Sequence, residues 1–258
     1  MVRATKRRGV RLAAVLSGVL TITMTVSGCA TGDVEPTPAA GSATTPAAAL
    51  DGESVSGTGP TGFPGVDFEI PAGARSVVIA FDCEGGGLFS VELGDSMMLG
   101  QAPAGGTCDG TQQLSWPVTE QTGPTLSVTV GEGVTWTASP TFSDAEFARD
   151  DALAADCERF SEIHSALINA DTGYTHYGAF PASEWETRVD EATAELDALA
   201  AAAQSELGTA FADLKGIVDD PDRPVGAVLN GTEEPVGVII LACNANQTPV
   251  ITHAEFGG

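Results

Sequence analysis

Between residues 76 and 138 apolar and polar positions alternate. Val77, Ile79, Phe81 and Cys83 share one side of the first run, and Phe89, Val91 and Leu93 continue it. Leu126, Val128 and Val130 repeat the pattern, followed by Val134, Trp136 and Ala138. A period of two sends successive side chains to opposite faces, which predicts half-buried strands. The runs are separated by turn-forming clusters: Pro71-Ala72-Gly73, Gly85-Gly86-Gly87, Gly105-Gly106, Gly123-Pro124 and Gly131-Glu132-Gly133. Short strands with that punctuation predict a small antiparallel β-sandwich over 61–142.

From Ser143 the period lengthens. Ser143-Asp144-Ala145-Glu146 reads as a capping box opening a helix with Leu153, Cys157, Phe160, His164 and Leu167 along one stripe. A loop over 171–181 follows, and Ser183-Glu184-Trp185-Glu186 repeats the capping pattern. Trp185, Val189, Ala192, Leu196, Leu199 and Ala203 then recur by fours and threes, and Leu207, Phe211, Leu214 and Val218 predict a third helix. Val236, Ile239, Ile240 and Cys243 fit a fourth helix opened by Thr232 and Glu233, although their β-branching leaves a strand as the alternative. The expected fold class is therefore α+β in two domains, a small β-sandwich and then, over 143–258, a bundle of about four helices.

The start of the chain has a different logic. Arg3, Lys6, Arg7, Arg8 and Arg11 precede an uncharged run over 12–26, which closes on Val26-Ser27-Gly28-Cys29. A basic start, a short apolar middle and small residues before the cut predict an export signal over 1–28. The run is too short, and too rich in Thr, Ser and Gly, for a membrane span. The four closing residues resemble the lipobox of bacterial lipoproteins. That resemblance implies lipidation of Cys29 and a mature chain held on the extracytoplasmic face of the cell membrane. An ordinary cleaved signal, cut near Ser27-Gly28 or Ala30, is the alternative. Acyl chains such as palmitate contribute about 0.8 kcal/mol per buried CH₂, and two chains suffice for stable anchoring. Residues from Ala30 to about Pro60 are Ala, Thr, Ser, Gly and Pro with scattered acids. Such a stretch buries too little to offset its backbone entropy, so 29–60 is expected to be the lipidated cysteine and a disordered tether.

Charge narrows the partners. The chain has 11 Lys+Arg against 35 Asp+Glu; five of the basic residues precede Cys29 and every acid follows it. The mature chain thus keeps 6 basic residues and a formal charge of −29. A polyanion of this size is repelled by nucleic acid, which is not an expected partner, and by anionic headgroups. Solubility is the plain reading of the acidity. Divalent-cation binding would need a loop of the D-x-[DN]-x-[DN]-G kind, and Asp219-Asp220-Pro221-Asp222 lacks both its glycine and the later glutamate.

Four cysteines follow the lipobox: Cys83 and Cys108 in the strand-like region, Cys157 and Cys243 in the helical one. An even count in an exported chain predicts disulfides. Pairing within each region gives 83–108 and 157–243, one bridge per core. No C-x-x-C spacing and no histidine at ligand spacing supports a metal site, and no cofactor is expected.

Candidate chemistry is sparse. Trp116 and Trp136 are the residues suited to stacking on a sugar ring, or else to filling the sandwich core, as alternation indicates for Trp136. His176 lies in Gly173-Tyr174-Thr175-His176-Tyr177-Gly178, flanked by both tyrosines of the chain. Tyr174, His176 and Tyr177 are accordingly the candidate ligand-binding loop, with aromatics folding back onto the helices as the other reading. His164 reads as a packing residue on its helix, and His253 falls in the extended tail. No G-x-S-x-G elbow, H-E-x-x-H, P-loop or c-type haem motif occurs, so no catalytic residue is assigned.

Phe68 to Val91, with its Pro-Ala-Gly turn before a strong hydrophobic strand, resembles compact β-sandwiches appended to secreted bacterial enzymes. That likeness implies an accessory binding or stabilising module. The whole layout of lipobox, Ala/Thr/Pro/Gly tether and cysteine-bridged domain, ending in Cys243-Asn244-Ala245-Asn246-Gln247 and Gly257-Gly258, resembles cell-envelope lipoproteins of high-GC Gram-positive bacteria. It implies an envelope location and no activity. The function expected is a membrane-tethered, non-enzymatic binding or interaction module, with an envelope protein or glycan as partner. The alternative is an envelope hydrolase or small-molecule carrier with its site between the domains.

Overall fold

The computed structural model describes residues 48–257. The export signal, Cys29 and the first part of the tether lie outside the described residues. The fold is α+β: seven antiparallel strands, β1 (Ala49–Asp51), β2 (Val55–Thr58), β3 (Val66–Asp67), β4 (Ser76–Leu93), β5 (Ala104–Pro117), β6 (Thr125–Thr129) and β7 (Thr135–Ser143), precede four helices. These are α1 (Asp151–Thr175), α2 (Ala182–Ala202), α3 (Gly208–Val218) and α4 (Glu233–Ala245).

All seven strands are joined in one hydrogen-bonded sheet whose spine is the 18-residue β4. Along one edge β4 pairs with β5; along the other it pairs first with β7, from Ser76 to Cys83, and then with β6, from Ser90 to Leu93. Strands β1 and β2 extend the sheet beyond β7, and β3 extends it beyond β6. The register between β4 and β5 shifts between Glu84 and Leu88, at the glycine triplet. Gly86 sits there at φ +72°, a conformation an L side chain rarely adopts. The shift curls the sheet. Phe81 and Phe89 would lie about 26 Å apart in a straight strand, yet their ring centroids are 4.7 Å apart. Curling lets the alternate apolar positions of both halves of β4 close on one core, with Trp116, Trp136, Phe68 and Phe142.

Two expectations are corrected here. Residues 49–51 and 55–58 are strands, not tether: the small apolar side chains Leu50 and Val55 pack against the sheet core, and β7 supplies their backbone partners. Ser143 does not cap a helix either. It closes β7, pairing with Ser76 and Ala49, and its carbonyl accepts from the Arg75 N–H at 2.7 Å. Glu146 instead forms an ion pair with Arg75. The helix is capped seven residues beyond Ser143, where Asp150 Oδ1 accepts from the N–H groups of Ala152 and Leu153 at 2.9 and 3.0 Å. Sheet pairing outcompetes the capping box because it satisfies backbone groups along the whole segment.

The helices pack by the stripes expected of them. Cys157, Phe160 and Leu167 of α1, Trp185, Val189, Leu196 and Leu199 of α2, and Phe211, Leu214 and Val218 of α3 are all buried. Two details differ. The expected loop over 171–181 is helical as far as Thr175, and α2 is preceded by Pro181 with no side-chain cap, so Ser183 and Glu186 lie inside its first turns. The segment around Ile239 is a helix; its N-cap position is Thr232. Asn246, just beyond α4, accepts from the Asp150 N–H at 2.8 Å and donates to the Asp150 carbonyl at 2.9 Å, tying the end of α4 to the start of α1.

Gln247 joins helices to sheet. It is 2% exposed and has φ +55°. Its Oε1 accepts from the Ala102 N–H at 2.9 Å, while Nε2 donates to the carbonyls of Ala102 and Ser115 at 3.3 and 3.2 Å. Trp116 Nε1 donates to that same Ala102 carbonyl at 3.0 Å. The strands and helices therefore share a sealed polar joint.

Candidate functional site

Both predicted disulfides are present. Cys83 and Cys108 link β4 to β5 beside the register shift, with Cα atoms 4.8 Å apart; Cys157 and Cys243 link α1 to α4 at 5.8 Å. Each bridge closes within one hydrophobic core. Two such bonds fit an oxidising compartment. No helix among the described residues is long and apolar enough to cross a membrane.

Trp116 is not a stacking platform. It is 0% exposed, and its indole N–H is used at the Ala102 joint. Trp136 is equally buried, with its N–H bonded to the Gly59 carbonyl at 3.0 Å. A sugar ring has no path to either face. The alternation that marked Trp136 as core holds for Trp116 too, since Leu114 and Trp116 face inward together.

The Tyr174–Tyr177 segment is a helix end rather than a free loop. Tyr174 packs part-buried against the helical core, and His176 occupies the C-cap position with Nδ1 2.8 Å from the Thr175 hydroxyl. Tyr177 is 55% exposed and stacks on Phe256, ring centroids 5.8 Å apart. Phe256 also meets Phe180 edge-on at 6.0 Å. Of the two tyrosines, Tyr174 packs on the helical core, while Tyr177 stays half in water against Phe256.

The histidines stay apart in the chain's architecture: His164 midway along α1, His176 at its end, His253 on the tail. His164 stacks on Phe160 at 5.3 Å, its Nδ1 is buried without a partner, and burial pushes its pKa below the ordinary histidine value. Among the described residues no group of three or more His, Cys, Asp or Glu side chains is placed to hold a metal ion.

Three features escaped the sequence reading. One is a cleft of about 620 Å³ beside the sheet–helix joint, lined by Arg75, Val118, Thr119, Glu146, Phe147, Arg149 and Asp151. It brings two of the six mature basic residues together with two acids, which partly neutralise them. Another is a polar ladder on α1, Ser161, Ser165 and Asn169, that holds the tail. Serine and asparagine at intervals of four inside a buried stripe are its only sequence signal. The third is a set of large apolar side chains left in water on the sheet and its connections: Phe63 is 99% exposed, Leu88 78%, Met97 74% and Met98 79%. Phe63 lies in a turn and Met97 and Met98 in a short 3₁₀ helix, outside any periodic run, while Leu88 is on β4 on the face opposite the inward set Phe89, Val91 and Leu93.

No family model, no curated protein and no solved structure matches this chain.

Proposed function

We propose that the chain is a lipid-anchored, extracytoplasmic lipoprotein of the cell envelope, of the kind found in high-GC Gram-positive bacteria, acting as a non-enzymatic interaction module. The membrane anchor is Cys29. In this reading the curled sheet is a sandwich-like contact domain, and the four helices are a bundle bolted to it through Gln247.

The observation that carries the reading is the exposure of four large apolar side chains on the sheet and its connections. The sheet core encloses Trp116 and Trp136, yet Phe63, Leu88, Met97 and Met98 remain in water. In this reading the large apolar side chains exposed on the sheet supply the contact surface. Methionine is flexible and adapts to an irregular partner. The surrounding acidity favours a partner with a basic or neutral rim and disfavours anionic lipid or nucleic acid. The partner class is accordingly an envelope protein, and a glycan is less well matched now that both sheet tryptophans are enclosed.

The experiment is site-specific photocrosslinking in cells, with the probe at Met97 or Phe63 and a control at Glu186 on α2. One discrete envelope adduct is expected from the sheet positions and absent from the control, and the adduct from Phe63 is lost when Met97→Asp and Met98→Asp are introduced together. Equal adducts from all three positions, or none, would refute the contact surface.

A further inference from the structure

The tail from Ile251 to Phe256 lies along α1 in a way that matches two unlike periodicities. Ser161 Oγ accepts from the Ile251 N–H at 3.1 Å, Ser165 Oγ from the His253 N–H at 3.0 Å, and Asn169 Oδ1 from the Glu255 N–H at 2.8 Å. Asn169 Nδ2 returns a bond to the His253 carbonyl at 2.7 Å. Four residues of helix rise about 6 Å, and two residues of extended chain span about 6.6 Å. Side chains at every fourth helical position therefore meet every second tail amide.

The hydroxyls are oriented for this task. Ser161 donates to the Cys157 carbonyl at 2.9 Å and Ser165 to the Ser161 carbonyl at 2.6 Å, with the Ile251 carbonyl a longer second acceptor for Ser165 at 3.4 Å, so a lone pair of each hydroxyl faces the tail amides. At the far end Phe256 sits over Gly173: a Cβ built on that glycine would lie 2.6 Å from the Phe256 ring and 2.7 Å from Phe180. Arg188 closes the side, 2.8 Å from Glu255 and 4.6 Å from the Phe180 ring centroid.

From this geometry we infer that the face of α1 is a recognition groove for an extended peptide carrying an aromatic residue, which the chain's own tail fills as a reversible latch. Three observations favour exchange over permanent packing. Recognition is by backbone amides, so it tolerates other side chains. Ile251, Thr252, His253, Ala254 and Glu255 all have exposed side chains, so Phe256 is the main apolar contribution of the segment. Ser161, Ser165 and Asn169 are polar and can be hydrated when uncovered, which keeps opening inexpensive. The inference is independent of the contact surface on the sheet.

The test uses the full chain and a variant ending at Val250, which keeps the joint residues. A fluorescein-labelled peptide with the sequence of residues 251–258 serves as probe. Saturable binding to the shortened chain is expected, at least tenfold weaker to the intact chain and about tenfold or more weaker with Phe256→Ala in the peptide. A folded shortened chain that binds no peptide at millimolar concentration would overturn the latch. A second measurement covers the case where shortening unfolds the protein. In the intact chain the Ile251, His253 and Glu255 amides should exchange hydrogen through local opening, at least tenfold faster than the Leu196 amide in α2. Exchange of all four amides at one common rate would also overturn it.

Discussion

At the joint between sheet and helices, the Gln247 amide makes three hydrogen bonds to backbone groups of the sheet side. Removing it leaves the buried Ala102 N–H without a partner, and an orphaned buried donor costs about 1–3 kcal/mol. Gln247→Ala is expected to lower stability by that amount in urea denaturation, whereas Gln204→Ala, at an exposed position, stays within about 0.5 kcal/mol. His164 makes stability depend on pH. Burial lowers its folded pKa, so the folded chain resists protonation more than the unfolded chain does. Stability from this residue is fully present above the ordinary value of about 6.5 and is lost as pH falls through the lower folded value. His164→Phe, which preserves the stack on Phe160, should lose less stability than the parent between pH 7 and pH 5.5. Equal losses in the two proteins would remove His164 as the cause.

Among the elements, α1 takes its start from Asp150 rather than from the capping box upstream. Asp150→Ala is expected to cost about 1 kcal/mol, as removal of an N-cap does. Glu146→Ala breaks only an exposed pair with Arg75 and should cost no more than about 1 kcal/mol, with zero as a common result. Thermal or urea melts of the two variants, compared in parallel, check the ranking. The bridges can be ranked by loop length. Cys157–Cys243 spans 86 residues and Cys83–Cys108 spans 25. Chain entropy then gives the helical bridge about 4.6 kcal/mol and the sheet bridge about 3.5 kcal/mol. Paired Cys→Ala variants should follow that order in urea midpoint.

For the molecule as a whole, each bridge stays on its own side of the 144–150 connection, yet Gln247 ties the two sides without covalent bonds. Arg149 is exposed in that connection. A single tryptic cut there should leave one particle in native gel filtration and two fragments on a denaturing gel without reductant. One band until dithiothreitol is added would contradict the pairing. Cys29→Ala is expected to move the mature protein from the washed membrane fraction to the soluble one with its melting temperature unchanged. Retention in the membrane would refute the lipid as anchor.

Hydrophobic period by itself determined that this chain is strands followed by helices, because a face buried every second or every third and fourth residue is a local property of the backbone. It also determined the inward set of Val77, Ile79, Phe81 and Cys83, the seam from Trp185 to Leu199, and, through the change of period, which cysteines share a core. Tertiary structure alone decided the rest. Whether Leu50 and Val55 belong to a tether or a sheet depended on an unpaired edge of β7 being there to receive them. Whether Ser143 capped a helix depended on Ser76 and Ala49 competing for its backbone. The glycine triplet announced a turn but not the curl that brings Phe81 onto Phe89, since a turn signal carries no angle. The fate of Trp116 and of the Tyr174–Tyr177 segment rested on Ala102, Gln247 and Phe256, residues far away in sequence with no periodic mark. The ladder of Ser161, Ser165 and Asn169 looks like polar interruption of a helix until the tail is laid across it. Contacts between distant segments are chosen by shape and by unsatisfied hydrogen-bonding groups, and neither is written in the local pattern.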